Sequence, residues 1–240
     1  RVDKDLRIFG SWSMSYPQET MASWTVPGLS ELWIDWSLAD LVLVKAGRFP
    51  TVWGLGQLFN PGNLLADAST AMTARATIPH ALGTVSFLAY MPDGKALVRE
   101  ELRYAASAEL ALDGITLGLN GMWSWPQAGK AAAYAKTSVL GVDASLEVLG
   151  SWASQDWWAP QALAALFWEG PDRVIQVQAE YWAQVPENLR VTHQSGLALR
   201  FPRFMNGDIV PKLRWLHEYQ ANAGQLALGF DKSLASHLNL

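Results

Sequence analysis

Cysteine is absent from the 240 residues. Disulfide staples, thiolate metal sites and cysteine nucleophiles are therefore excluded. The absence also suits an exported chain that crosses an oxidising compartment unfolded. Long apolar runs are missing as well. The longest, such as Ala162–Trp168 and Leu41–Val44, fall far short of the ~20 residues a spanning helix needs. No basic segment followed by an apolar stretch opens the sequence at Arg1, so any secretion signal is expected to have been removed or never present. There is no excess of positive charge either: 18 Lys and Arg stand against 22 Asp and Glu, a net charge of −4. A nucleic-acid partner is accordingly not expected. Charge is sparse, at 17% of residues, while half the chain is hydrophobic. That composition excludes a disordered chain, which would have few aromatics and a large net charge.

What the chain has instead is tryptophan and alternation. Thirteen tryptophans are more than a small core accommodates, whereas the aromatic girdles of a transmembrane barrel have room for them. From Leu6 to Tyr16, one parity carries Leu6, Ile8, Gly10, Trp12, Met14 and Tyr16. The other carries Arg7, Phe9, Ser11, Ser13 and Ser15. A strand sorts two such sets onto opposite faces, and a helix mixes them.

The clearest run is Leu102–Ser124, where Leu102, Tyr104, Ala106, Ala108, Leu110 and Leu112 oppose Arg103, Ala105, Ser107, Glu109 and Ala111. Asp113-Gly114 then suits a type I′ hairpin turn, and Ile115–Ser124 returns with the same separation. Each arm is about 10 residues long, the length of a tilted membrane strand. Rougher versions recur at Glu31–Leu38, Val142–Val148, Ile175–Trp182 and Lys212–Tyr219. Turn signals lie between the runs at Pro92–Gly94, Gly170–Asp172, Pro186–Asn188, Asn206-Gly207 and Asn222–Gly224. The expectation is an all-β fold: one domain over residues 1–240, a closed antiparallel transmembrane β-barrel of about 14 strands, within bounds of 12–16. Ala132–Ser154 and Gln225–Leu240 each read as one long strand or two short ones.

A soluble β-sandwich or lipocalin-like barrel alternates too. In a closed soluble barrel of so many strands the apolar face has to fill the interior, and diameter grows with strand number. Alanine and leucine leave such an interior void. Turning the apolar face to lipid removes the difficulty, and closure leaves no unpaired edge in hydrocarbon.

One segment goes beyond pattern. Lys45–Leu65 reads KAGRFPTVWGLGQLFNPGNLL, in which a strand ends in Gly47-Arg48, Trp53-Gly54 follows, and Asn60-Pro61 leads to a leucine-rich close. It resembles a stretch of the alginate-export-type and related porin-like barrels of Gram-negative and spirochaete outer membranes. The resemblance covers about a tenth of the chain. It implies a bacterial outer-membrane location and passage of a small solute. The chain ends on Leu240, whereas many outer-membrane proteins end on an aromatic residue, so a trimmed chain or an atypical insertion signal is expected.

The expected function is therefore a porin or passive solute channel. By parity the pore-lining residues are Arg7, Glu31, Asp35, Lys45, Arg103, Glu109, Asp143, Glu147, Glu180, Arg200, Lys212, Arg214 and Glu218, and Arg48 joins them at the lumen wall beside the long loop. Their signs nearly balance, which predicts weak ion selectivity. The segment Pro50–Thr70, carrying Trp53, Gly54, Asn60 and Pro61, is long for a loop without secondary structure and is the expected constriction. Arg48 and Trp53 read equally well as an ion pair and a loop anchor.

Two alternatives stand beside this reading: a plugged barrel acting as a scaffold in an envelope assembly, and a soluble carbohydrate-binding β protein. Trp123, Trp125, Trp157 and Trp158 would be the stacking platforms of the latter, although their place near strand ends fits an interfacial girdle better. Expected partners are membrane lipid and small hydrophilic solutes, with a homo-oligomer or an envelope protein left open. His80, His193, His217 and His237 show no metal-ligand spacing, and there is no Gly-x-Ser-x-Gly elbow. No enzyme activity, metal or cofactor is expected.

Overall fold

The structure is a computed structural model that describes residues 6–13, 28–38, 41–65, 68, 71–92, 100–124, 128–153, 159–186, 189–204, 209–235 and 238–239. Its strands are β1 (Leu6–Ser13), β2 (Gly28–Leu38), β3 (Val42–Arg48), β4 (Met72–His80), β5 (Gly83–Met91), β6 (Arg103–Leu112) and β7 (Ile115–Ser124). They continue as β8 (Ala128–Val139), β9 (Val142–Ala153), β10 (Gln161–Glu169), β11 (Gln176–Gln184), β12 (Thr192–Arg200), β13 (Ile209–Glu218), β14 (Ala223–Ala235) and the two-residue β15 (Leu238–Asn239). Strand order in the sheet is sequence order, so each strand pairs with its sequence neighbours, and the pairing is antiparallel. Among the described residues, fourteen full strands match the expected number. The ambiguous stretch from Ala132 falls on the β8–β9 pair, and that from Gln225 falls on the long β14 and then β15.

Among the described residues no helix is long and apolar enough to cross a membrane. The chain forms two compact units. One comprises Arg1–Trp53, Asn63–Leu110 and Leu119–Lys130, and the other Gly54–Gly62, Ala111–Gly118 and Ala131–Leu240.

Two turns depart from expectation. At Asp113-Gly114 only Gly114 has positive φ, +75°, so the type I′ turn, which needs positive φ at both central residues, is not formed. Thr137 Oγ1 donates to the Gly114 carbonyl at 2.8 Å and holds the turn in this form. The β8–β9 turn instead places Leu140 at φ +53° and Gly141 at φ +78°. Leucine carries no turn signal, which is why this hairpin was ambiguous in the sequence. Of the other turn signals, Asn206-Gly207 and most of Pro92–Gly94 and of Pro186–Asn188 lie outside the described residues.

Burial runs opposite to that of a water-soluble sheet. In the first unit Leu119 is 63% exposed and the next residue, Asn120, 7%. In the second unit Leu146 is 53% exposed and Glu147 is fully buried. On β14, Leu226, Leu228 and Phe230 are all exposed. Each would gain ~1.5–3 kcal/mol on leaving water. Three on one strand amount to a large share of the ~5–15 kcal/mol that holds a domain together. The alternation therefore produces an apolar face that is exposed and a polar face that is shielded.

Candidate functional site

In the first unit the register lines up charges along the polar face. Arg7 lies opposite Asp35, Asp35 opposite Lys45, and Lys45 opposite Arg75. Lys45 Nζ sits 3.5 Å from the Trp33 ring centroid and 4.7 Å from that of Phe49, and the Arg75 guanidinium lies 5.5 Å from Phe49. Cation–π contacts of this kind hold the cations against the wall. Trp33 Nε1 donates to Glu31 at 3.3 Å. Arg103 pairs in register with the buried Tyr90, and Glu109 with Thr84.

Arg75 was not anticipated as a site residue. Its strand alternates Thr73, Arg75 and Thr77 with Met72, Ala74, Ala76 and Ile78, but alanine gives the apolar set little contrast. Arg48 shares register parity with Val44 and Ala46, opposite Leu32 and Met72. Its Nε is nevertheless shut off from solvent. The preceding Gly47 has φ +132°, where a Cβ would overlap the Leu32 carbonyl, so simple alternation does not set the direction of Arg48. Trp53 N–H donates to Asn63 Oδ1 at 3.2 Å, and Phe49, Thr51, Leu64, Leu65 and Ala68 are buried. These contacts anchor both stems of the expected constriction loop.

The second unit contains the loop's central stretch, Gly54–Gly62, and binds it to two carboxylates of its own polar face. Leu55 N–H donates to Glu147 Oε2 at 3.4 Å. Gln57 N–H donates to Glu180 Oε1 at 2.7 Å, Leu58 N–H to both oxygens at 3.1 Å, and Phe59 N–H to Oε2 at 2.7 Å. Gln178 Nε2 adds a bond to Oε1. Three successive amides converging on one carboxylate form an anion-binding nest, and bonds to an ionised acceptor are the strong ones.

The approach is close enough to need glycine. A Cβ on Gly62 would overlap the Glu147 carboxylate, and one on Gly56 would overlap the Phe59 carbonyl. Gly196 leaves room on the wall for Leu58 and Phe59, and Phe59 stacks on Trp182 at 6.2 Å. Gly54, at φ +99°, lets the chain turn into this stretch. Asn60 is exposed and Pro61 half-buried at the turn that follows. Glu147 and Glu180, read from the sequence as wall charges, thus act as loop anchors.

Further along this polar face, Lys212 Nζ lies 2.5 Å and Arg200 Nη2 3.9 Å from Asp231 Oδ2. Arg214 stands between Ala198 and Ala227, and Glu218 between Gln194 and Ala223. Asp143 is exposed opposite Phe167.

The apolar face carries an aromatic cluster at one strand end. Tyr181 Oη and His193 Nδ1 are 2.9 Å apart, Ser195 Oγ and Tyr219 Oη 3.1 Å, and Trp215 stacks on His217. Trp123 stacks on Tyr104, while Trp125, Trp157 and Trp158 lie outside the described residues. Among the described residues no group of three or more His, Asp or Glu could hold a metal ion.

No family model matches the chain, and no curated relative does. Solved structures do. A mutant porin of Rh. blastica aligns with a TM-score of 0.65 at 11% identity, covering 95% of this chain and 84% of that one. This is a porin-like outer-membrane β-barrel fold. OmpT of Vibrio cholerae, in its trimer form, aligns with a TM-score of 0.61 at 8% identity over 99% of this chain and 85% of that one. Another porin gives 0.58 at 12% identity over 83% and 79%. In the porin-like fold a polar face shielded from solvent and an apolar face exposed to it are the expected arrangement.

Proposed function

We propose that the chain is a passive channel for small hydrophilic solutes in a bacterial outer membrane, without catalytic activity, and that residues 1–240 close into a single antiparallel barrel. The observation that carries this reading is the loop stretch Gly54–Gly62 bound along the polar face by Glu147 and Glu180, because a tethered inner loop narrows a polar conduit without sealing it. Arg7, Glu31, Asp35, Lys45, Arg48, Arg75, Arg103, Glu109, Asp143, Arg200, Lys212, Arg214 and Glu218 line the lumen. The exposed apolar residues meet lipid, and the Tyr181–His193–Tyr219 cluster lies at a membrane–water boundary, where amphipathic rings are enriched. A homo-oligomer is compatible with this arrangement.

The depth of the tether also favours a second reading, a plugged barrel that serves as a scaffold in an envelope assembly. Planar-bilayer recording on refolded protein separates the two. Discrete, stable current steps are expected. A barrel that inserts, shown by heat-dependent gel mobility, and passes no current refutes the channel and leaves the scaffold. Protein that stays soluble without detergent refutes both.

A further inference from the structure

The second unit has a cavity of about 360 Å³ bounded by Gln57 and Leu58 of the loop and by Gln178, Arg200, Lys212 and Arg214 of the wall. Strand register explains both its charge and its space. One row across β11–β14 reads Gln176, Arg200, Lys212, Gly229, and the next reads Gln178, Ala198, Arg214, Ala227. The cations stand among the smallest side chains available. A Cβ on Gly229 would meet nothing within 4 Å, so space remains beside Lys212.

The charges do not cancel here. Asp231 answers Lys212 and Arg200, and Arg214 has no carboxylate partner among the described residues. Glu180, on the neighbouring row, is taken up by the loop amides. Among the described residues here, three cations stand against Asp231 and the amide-bound Glu180, which leaves a net positive charge facing a partly shielded space, where Coulombic attraction is stronger than in bulk water. A guanidinium presents a planar fork that matches a carboxylate or phosphate with two parallel hydrogen bonds.

Resting on the channel reading above, we propose that this cavity is a binding subsite for a small anion carrying carboxylate or phosphate oxygens, with Arg214 as its fork and Lys212 and Arg200 as flanking charges. The near-balance of charge over the whole chain hides this local excess. Gln176 and Gln178 donate to Glu169 and Glu180, which fixes them as walls of the subsite rather than as competing anchors.

The test is calorimetric titration of the folded, detergent-solubilised protein with succinate and, in parallel, inorganic phosphate at low salt. Saturable binding of at least one, weakened by added KCl, is expected. Arg214→Gln should weaken it about tenfold or more, the usual scale of one charge-assisted contact. Arg214→Lys should recover part of the loss. Arg173→Gln, at an exposed turn, should bind as the parent does. Bilayer currents are recorded on the same preparations, with the same anion added as a blocker.

Binding without any current upholds the subsite and overturns the channel reading. Current without binding of either anion does the reverse. Equal binding by the parent and Arg214→Gln overturns the subsite. If Arg214→Gln fails to fold, Lys212→Gln carries the same expectation and the same refutation.

Discussion

Glu180→Gln is the perturbation that most directly tests the tether. The parent carboxylate accepts backbone N–H bonds from Gln57, Leu58 and Phe59 and one from Gln178, and it is 3% exposed. Glutamine keeps the shape but replaces one acceptor oxygen with an NH2 group. At least one amide, at Gln57 or Phe59, then faces a donor. Losing a hydrogen bond to a charged group costs ~1.5–3 kcal/mol, and a buried N–H left unpaired costs a similar amount. Taking about 2–3 kcal/mol as the net effect, the population of released loop rises roughly 30- to 150-fold. Hydrogen exchange read by mass spectrometry on the peptide spanning 55–60 should accelerate by about that factor. Strand peptides such as 142–149 should keep their protection. In bilayers the same variant should show larger and noisier current steps. Unchanged exchange at 57–59 would refute the tether, as would a uniform loss of protection across the barrel, which would mean that Glu180 supports the sheet rather than the loop.

Other substitutions test neighbouring parts of the argument. Gly62→Ala places a methyl inside the Glu147 carboxylate, so the Leu55 amide should lose protection while the heat-modified gel shift of the barrel persists. Gly47→Ala combines φ +132° with overlap of the Leu32 carbonyl, and it should abolish the heat-modifiable band altogether. Leu226→Lys and Gln225→Lys introduce the same charge one residue apart on β14. The first, on the apolar face, should cost roughly 2–4 kcal/mol in urea unfolding from lipid vesicles if it lies near mid-membrane. The second, on the polar face, should cost little, and equal costs would refute the assignment of faces.

Much of this protein is determined by its sequence alone. A strand has a side-chain period of two, so alternation specifies which residues share a face without any knowledge of the partner strand. Arg103 and Glu109 on one parity and Tyr104 and Leu110 on the other needed nothing more. The absence of spanning helices pointed to strands, and the void that alanine and leucine would leave inside a soluble barrel of so many strands pointed to an apolar face turned outward. The length of the segment between Arg48 and Met72 marked it as a loop with work to do. Where contrast was low, legibility fell: the β4 strand, with alanine on its apolar side, concealed Arg75, and Leu140 concealed a turn.

The loop's partners were decided only by tertiary structure. Gln57 and Glu180 are 123 residues apart in sequence, and a carboxylate that binds backbone amides selects no particular side chain in its partner, so no motif records the pairing. The excess of cations around Arg214 is likewise set by the register of β11 to β14. Composition reports only the near-neutral sum. Pairing decides which charges stand together and which have been used elsewhere, and that is where the chemistry of the polar face resides.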